Sequence, residues 1–381
     1  MKILYVTPGC FDKGGISRYN RYQVNVLREL YGSANVRVLS LLGPDANSFE
    51  DSFETWWHGN GITLKDKMGL VTQVVRLALS WKPHVIFVGH VNLSGLCWLA
   101  SKLSGAKTIL NVYGLEIWSG LSRDAAIGLR KSDYIISDCH NTADYLIKNE
   151  IRKANDITVI WDCVDIERFV PPQAFDKQAL ERYKIPDPST HFIILTLGRL
   201  SKPDAYYKGY DRLMKVFARI KPKYPHARLV IAGRGNFTTE LQHMKSELGM
   251  DGEVILTGSI DEADIVSVYQ SCHLFSLVTE AGKGKGEGIP LTPLEAMACG
   301  KPILVGDQDG SREAVVDGAN GFVLDPQALD MHETIIERYI TDASLRDSHG
   351  ANAFHISRQH FSYPVFKQKH IEFFDKTFSA K

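Results

Sequence analysis

Short apolar runs alternate with amphipathic stretches along nearly the whole chain. The first series of runs covers 3–7, 36–42, 85–89, 108–113, 134–137 and 157–160. A second covers 192–197, 229–232, 254–257, 274–278, 302–305 and 321–324. Most are continuously apolar rather than alternating, the pattern of strands covered on both faces. The stretches between them, such as 17–31, 210–221, 238–248 and 262–272, carry apolar residues at helical spacing. Strand and helix in strict alternation predict parallel sheets assembled from βαβ units.

Between the two series, residues 164–189 carry Pro171, Pro172, Pro186 and Pro188, which marks an interdomain connection. A length of 381 residues also exceeds what one hydrophobic core usually organises. The expected architecture is therefore α/β: a Rossmann-like doubly wound domain over 1–170 and a second over 171–359. The tail 363–378 is aromatic-rich and helical in pattern. In such sheets ligands bind beyond the carboxyl ends of the strands, so a cleft between two facing sheets is the default site.

Composition narrows the function classes. Basic and acidic residues balance at 44 each, leaving no overall basic field for nucleic acid. The six cysteines form no C-x-x-C pair and no zinc or disulfide framework; buried thiols in a reducing cytoplasm are expected. The opening MKILYVTPG is too short for a signal-peptide core, and no run of eighteen apolar residues exists to span a membrane.

Three clusters carry candidate chemistry. Gly14-Gly15 follows the first run and opens a helix, where close backbone approach and free amides suit an anion; alone, it equally describes a tight turn capped by Ser17. Gly198-Arg199-Leu200 ends the first strand of the second domain, with Lys208-Gly209 shortly after. Arginine offers a bidentate fork and lysine a mobile point charge, a pair suited to clamping a pyrophosphate. The strongest cluster is Glu287-Gly288-Ile289-Pro290-Leu291-Thr292-Pro293-Leu294-Glu295. Pro290 or Pro293 suits a first helical turn, which puts Glu287 in the loop and Glu295 inside the helix. The amides of Leu291 and Thr292 then face phosphate oxygens, and the two carboxylates can accept sugar and ribose hydroxyls. The Gly-Lys-Gly-Lys-Gly run at 282–286 adds a mobile donor loop.

In order and spacing these pieces, with Tyr113-Gly114-Leu115-Glu116, Val164-Asp165 and Gly233-Arg234-Gly235, resemble a family-four retaining glycosyltransferase of the GT-B fold (glycosyl transferases group 1). The resemblance implies that Arg199 and Lys208 neutralise a donor diphosphate, that Glu287 holds the transferred sugar and that Glu295 binds ribose. It places Gly15, Gly198, Gly233, Gly288, Ile289, Pro290, Leu291 and Thr292 around the donor and the strand end 257–260, with Ile260, at the nucleobase. It adds Tyr113 to the catalytic set of Arg199, Lys208 and Glu287, and it sends a C-terminal helix within 360–381 back onto the first domain. No cofactor and no metal are implied; the nucleoside-diphosphate sugar, UDP-linked, is the substrate. The acceptor is a saccharide or lipid-linked saccharide, at a cytoplasmic site with peripheral contact to the inner face of the cell membrane.

Three departures stand out. Tyr113 occupies the usual histidine position and lacks imidazole's proton affinity near neutral pH. The common Asn-Gly-Val-Asp reads Asp162-Cys163-Val164-Asp165, and a Lys/Gly loop precedes Glu287. Rival patterns are weaker. Asp307-Gln308-Asp309 matches a metal-binding D-x-D but reads as a polar turn after a strand. The Gly233 run lacks a third dinucleotide glycine, since position 238 is Thr238, and 282–288 lacks the Gly-Lys-Ser/Thr of a Walker loop. The segment 65–82 interleaves Lys65, Lys67, Arg76 and Lys82 with apolar residues, which fits either a helix packed on its own sheet or one lying on an anionic membrane. A non-hydrolysing sugar-nucleotide epimerase and a catalytically silent sugar-nucleotide-binding subunit are the alternative functions.

Overall fold

A computed structural model describes residues 1–46, 48–202, 204–282 and 284–378. The chain packs as two compact units, Met1–Cys163 with Tyr363–Lys381, and Val164–Ser362.

The first unit holds strands β1 (Ile3–Thr7), β2 (Val36–Ser40), β3 (Trp57–His58), β4 (Val85–Val88), β5 (Lys107–Val112), β6 (Tyr134–Ser137) and β7 (Ile157–Val159). They form one sheet in the order β3-β2-β1-β4-β5-β6-β7, with every pairing parallel. Successive side chains on a strand point to opposite faces, which explains the continuous apolar runs. Leu4, Val6, Ile86, Val88 and Leu110 pack under the helices Leu64–Ser80, Ser94–Ser104 and Arg123–Lys131. Ile3, Tyr5, Val85, Phe87 and Ile109 pack under Gly15–Tyr31 and the C-terminal helix Tyr363–Phe378, through Val24, Leu27, Phe366, Phe373 and Phe374.

The second unit holds β8 (Phe192–Leu197), β9 (Ala227–Ala232), β10 (Val254–Gly258), β11 (Leu274–Leu277), β12 (Ile303–Gly306) and β13 (Gly321–Leu324). Their order is β10-β9-β8-β11-β12-β13, again all parallel. In both sheets the strand order reverses beside the first strand, between β1 and β4 and between β8 and β11. A crevice opens at such a switch point, at the carboxyl ends.

The units divide at Cys163 and Val164 rather than after residue 170. Hydrogen bonding and packing explain the shift. Val164 N donates to Phe361 O, Arg168 pairs with Glu262 at 2.6 Å, and Phe169 meets Tyr269 edge-on. Pro171 touches the Gly300 turn, so the proline pair lies within the second unit. The six cysteines are buried and none is in a disulfide.

Candidate functional site at the carboxyl edge of the second sheet

Two glycines bring the strand ends together. A Cβ on Gly198 would lie 2.5 Å from the Tyr210 hydroxyl and 3.6 Å from Lys208 Nζ. Gly233 takes φ +142°, and a Cβ there would fall 1.9 Å from the Gly198 carbonyl, a contact that only glycine avoids. The chain beyond β8 can therefore fold flat against its neighbours and carry Lys208 back over the sheet edge.

Lys208 Nζ lies 3.1 Å from Glu287 Oε1, and the Tyr207 hydroxyl donates to the same oxygen at 3.0 Å. The lysine and glutamate side chains are 16% and 21% exposed, so the pair is sheltered yet open to a ligand. Burial, with the Glu287 charge beside it, holds the Tyr207 phenol well above its ordinary range. Glu287 stands in the loop from β11 to the helix Leu291–Ala298. Its backbone is pinned twice: its N–H donates to Asp309 Oδ2 at 2.8 Å, and its carbonyl accepts from Gly310 N at 3.1 Å.

Asp309 is fully buried and accepts from the Thr279 hydroxyl at 2.7 Å and from Ser311 N at 3.0 Å. The expected polar turn at 307–309 is thus an interior clamp, because Thr279, Ser311 and the Glu287 amide replace the water its carboxylate would lose. Burial pushes its pKa up to about 6 against those hydrogen bonds. Arg212 forms a second clamp: Nη1 bonds Glu280 Oε2 at 3.1 Å and Tyr206 O at 3.2 Å, and Nη2 bonds Tyr207 O at 3.1 Å and Val278 O at 3.3 Å. It ties the loops after β8 and β11 to one guanidinium.

The other expected donor residues occupy the same sheet edge with different partners. Arg199 is 65% exposed, 3.7 Å from Asp204 Oδ2. Gly288, Ile289 and Ile260 are buried, and Pro290 leads into the helix at Leu291 without a side-chain cap. The first-turn amides of Leu291 and Thr292 therefore project from the helix end. Glu295 lies buried inside that helix, where its Oε2 accepts the Tyr269 hydroxyl at 2.7 Å. Lys283 of the 282–286 run lies outside the described residues. Among the described residues no cluster of three or more His, Cys, Asp or Glu could hold a metal ion, and no helix is long and apolar enough to cross a membrane.

In the first unit the helix starts at Gly15 with Gly14 as its cap residue, and Ser17 bonds the Asp12 carboxylate rather than capping. Tyr113 is buried, with its hydroxyl 2.8 Å from Asn20 Oδ1 and 3.2 Å from Gly89 O. It joins a neutral interior network. Tyr5 Oη reaches Asn20 Oδ1 and Gln23 Oε1, each at 2.7 Å, while Asn111 Nδ2 donates to Gln23 Oε1 at 2.6 Å. Gln23 Nε2 lies 2.9 Å from His370 Nε2 on the C-terminal helix. Burial raises both tyrosine pKa values well above their ordinary range and lowers that of His370 to about 4.

Residues 177–355, nearly all of the second unit, match the family described as glycosyl transferases group 1. The second unit is a group 1 glycosyltransferase domain. A GDP-mannose-dependent phosphatidylinositol monomannoside mannosyltransferase of Mycolicibacterium smegmatis is 30% identical over 182 residues, 47% of this chain and 46% of that protein. This chain therefore aligns with about half the length of that relative. A monoacylated-substrate counterpart from Corynebacterium glutamicum is 24% identical over 70% of each chain. Among solved structures, Anabaena HepE in complex with UDP superposes with a TM-score of 0.79 at 20% identity, over 99% of this chain and 100% of that one. Sucrose-phosphate synthase of Thermosynechococcus elongatus gives 0.77 at 16% identity over all of both chains. The two-domain GT-B architecture expected from the sequence is thus the fold of this chain.

Sequence reasoning missed Tyr207, Arg212 and Asp309 at the group 1 site. Arg212 sits among Tyr210, Leu213 and Met214 on the helix Tyr210–Ile220, an apolar neighbourhood that was the available signal. For Asp309 the signal was weaker: it begins the 3₁₀ turn Gly310–Ala314, and its burial depends on Thr279, thirty residues away.

Proposed function

We propose that this glycosyltransferase moves a hexose, with retention at the anomeric carbon, from a nucleoside-diphosphate sugar to a saccharide or lipid-linked saccharide acceptor in polysaccharide biosynthesis. The observation that carries the reading is Lys208 against Glu287 at the switch point of the second sheet, each side chain largely sheltered. Lys208, Arg199 and the first-turn amides of Leu291 and Thr292 neutralise the departing diphosphate, the electrostatic share of catalysis. Those charges make the proposed reaction metal-independent. Glu287 exchanges its contact with Lys208 for the hydroxyls of the hexose, and Glu295 takes the ribose. The acceptor oxygen forms its bond to the anomeric carbon as the bond to the leaving phosphate breaks on the same face. The acceptor's proton passes to that phosphate oxygen. Tyr113, its hydroxyl turned inward to Asn20, acts by shaping the carboxyl edge of the first sheet.

The sequence reading favours a UDP-linked hexose, and the aligned mannosyltransferases are named for GDP-mannose. Calorimetric titration with UDP, GDP, UDP-glucose, UDP-galactose, UDP-N-acetylglucosamine and GDP-mannose separates the two donors. The expected result is micromolar binding of one nucleotide series, weakened in Glu295→Ala and in Arg199→Ala. Binding by no nucleotide, or indifference to both substitutions, would refute the donor site. Turnover with a saccharide acceptor then separates transfer from silent binding.

A further inference from the structure

The two helical layers of the first unit differ in what they leave in water. The layer of Gly15–Tyr31 and Tyr363–Phe378 exposes no large hydrophobic side chain among its described residues. The opposite layer, Leu64–Ser80 with Ser94–Ser104 and Arg123–Lys131, exposes Leu64, Met68, Val71, Leu79, Leu99, Leu103 and Ile127.

The helix Leu64–Ser80 shows that this is patterned. Leu70, Val74, Leu77 and Ala78 form the stripe that packs on the sheet. Leu64, Met68, Val71, Val75 and Leu79 follow spacings of four, three, four and four, which line up on a helix as a second stripe. Leu64 on that stripe is 77% exposed. Packing on the sheet explains the first stripe and leaves the second without a partner.

Charge identifies what covers it. The three helices carry seven basic residues (Lys65, Lys67, Arg76, Lys102, Arg123, Arg130 and Lys131) and two acidic ones, in a chain whose charges balance overall. Both acids turn back to their own helix caps, Asp66 to Thr63 and Asp124 to Ser122. The aromatic ring on these helices, Trp98, is only partly exposed and lies beneath Lys102, which leaves no fully exposed ring to anchor a protein partner. Flexible aliphatic side chains interleaved with ammonium and guanidinium groups instead match a fluid surface of acyl chains and phosphate head groups. We propose that this helical face of the first unit docks on an anionic phospholipid bilayer. A bilayer there would bring the enzyme to the surface where a lipid-linked acceptor resides, but the docking itself stands on the exposed stripe and its charges.

Co-sedimentation of the full chain with vesicles tests it, independently of any donor. The protein should pellet with phosphatidylglycerol–phosphatidylcholine vesicles, release at high salt and ignore pure phosphatidylcholine. Two variants, L64S/M68S/L79S and K65E/R76E, should each lower partitioning about tenfold or more. Their melting temperatures and nucleotide affinities should match the parent, since every changed side chain is already in water. Equal binding to neutral and anionic vesicles, no binding to either, or undiminished binding by both variants would overturn the proposal. So would a dimer, seen by light scattering, that the apolar variant dissolves, since the face would then join two copies.

Discussion

At the carboxyl ends of β1 and β5 in the first unit stand Thr7 and Tyr113; at those of β8 and β11 in the second stand Gly198 and the loop that carries Glu287. The sheets share their wiring, with one reversal of strand order each. Their polar residues face opposite tasks. In the first unit, amides and hydroxyls of Asn20, Gln23, Asn111, Tyr5 and Tyr113 satisfy one another inside the core. In the second, ammonium, guanidinium and carboxylate groups gather at the edge: Lys208 with Glu287, and Arg212 with Glu280. A neutral network can be fully desolvated because each donor meets an acceptor. Charges are costly to bury unless they are paired: Arg212 is buried against Glu280 and three carbonyls, whereas Lys208 and Glu287 stay open enough for a charged ligand to take over their contacts. The comparison teaches that two sheets of one topology can differ in the groups that they offer a ligand, and the exchangeable charges of Lys208 and Glu287 are what the proposed donor site rests on.

The sharpest way to break the contrast is Lys208→Met. If the charged edge performs transfer, kcat/KM should fall by about a hundredfold to a thousandfold, the scale of removing one electrostatic stabiliser, or about 3–4 kcal/mol. The melting temperature should barely move, because Glu287 keeps its contact with Tyr207. Steady-state kinetics with a saccharide acceptor reads the effect, and a loss of less than about threefold would remove Lys208 from the reaction.

The complementary change is Tyr5→Phe in the neutral network. Its hydroxyl, fully buried, donates toward Asn20 or Gln23 and accepts from Asn111 Nδ2 at 3.3 Å. Losing it should cost about 1–2 kcal/mol of stability, the scale of an unmade buried hydrogen bond. Nucleotide affinity should be unchanged, since the residues proposed to bind the donor belong to the other unit. Chemical denaturation beside calorimetry tests both halves; a weakened nucleotide with intact stability would contradict the division of labour.

Much of this was legible in the sequence, and the exceptions share a cause. The apolar runs read as strands are strands because most of them bury both faces, with β7, β10 and β13 only partly covered, whereas β3, two residues long, offers too short a pattern to notice. Glu287, Lys208 and Gly198 were legible because glycine, proline and charge bracket a helix start and a strand end. Asp309 and Tyr113 were not, because their roles depend on partners far along the chain. Asp309 is clamped by Thr279, and Tyr113 is drawn inward by Asn20, ninety-three residues away. Local pattern reports which residues are polar; whether a polar group faces ligand or interior is decided by contacts that no short window contains.

Asp309 offers the finest probe of that distinction, because it is a charge held inside the otherwise edge-bound set. With a pKa raised by burial to about 6, it is ionised at neutral pH and takes a proton as pH falls through about 6. The folded state holds that proton more tightly than the unfolded chain. This carboxyl therefore favours folding below its ordinary pKa, and the benefit is lost as pH rises through about 6. Its effect on the site has the opposite sign. Ionised, Oδ2 accepts both the Glu287 N–H and the Thr279 hydroxyl; protonated, the carboxyl gives up acceptor capacity, and the Glu287 loop loosens. Affinity for the sugar nucleotide should thus weaken as pH drops through about 6. The intact sugar nucleotide is the right probe, because its diphosphate has no terminal phosphate to titrate in that range. Asp309→Asn should weaken binding about fivefold at neutral pH, near 1 kcal/mol for one lost hydrogen bond, and flatten the profile. Glu287, Lys208 and Tyr207, together with Glu280, Lys285 and Asp307 nearby, remain in the variant as controls. A pH dependence that survives in Asp309→Asn would place the titration outside Asp309, and the buried carboxylate would then be a structural clamp alone.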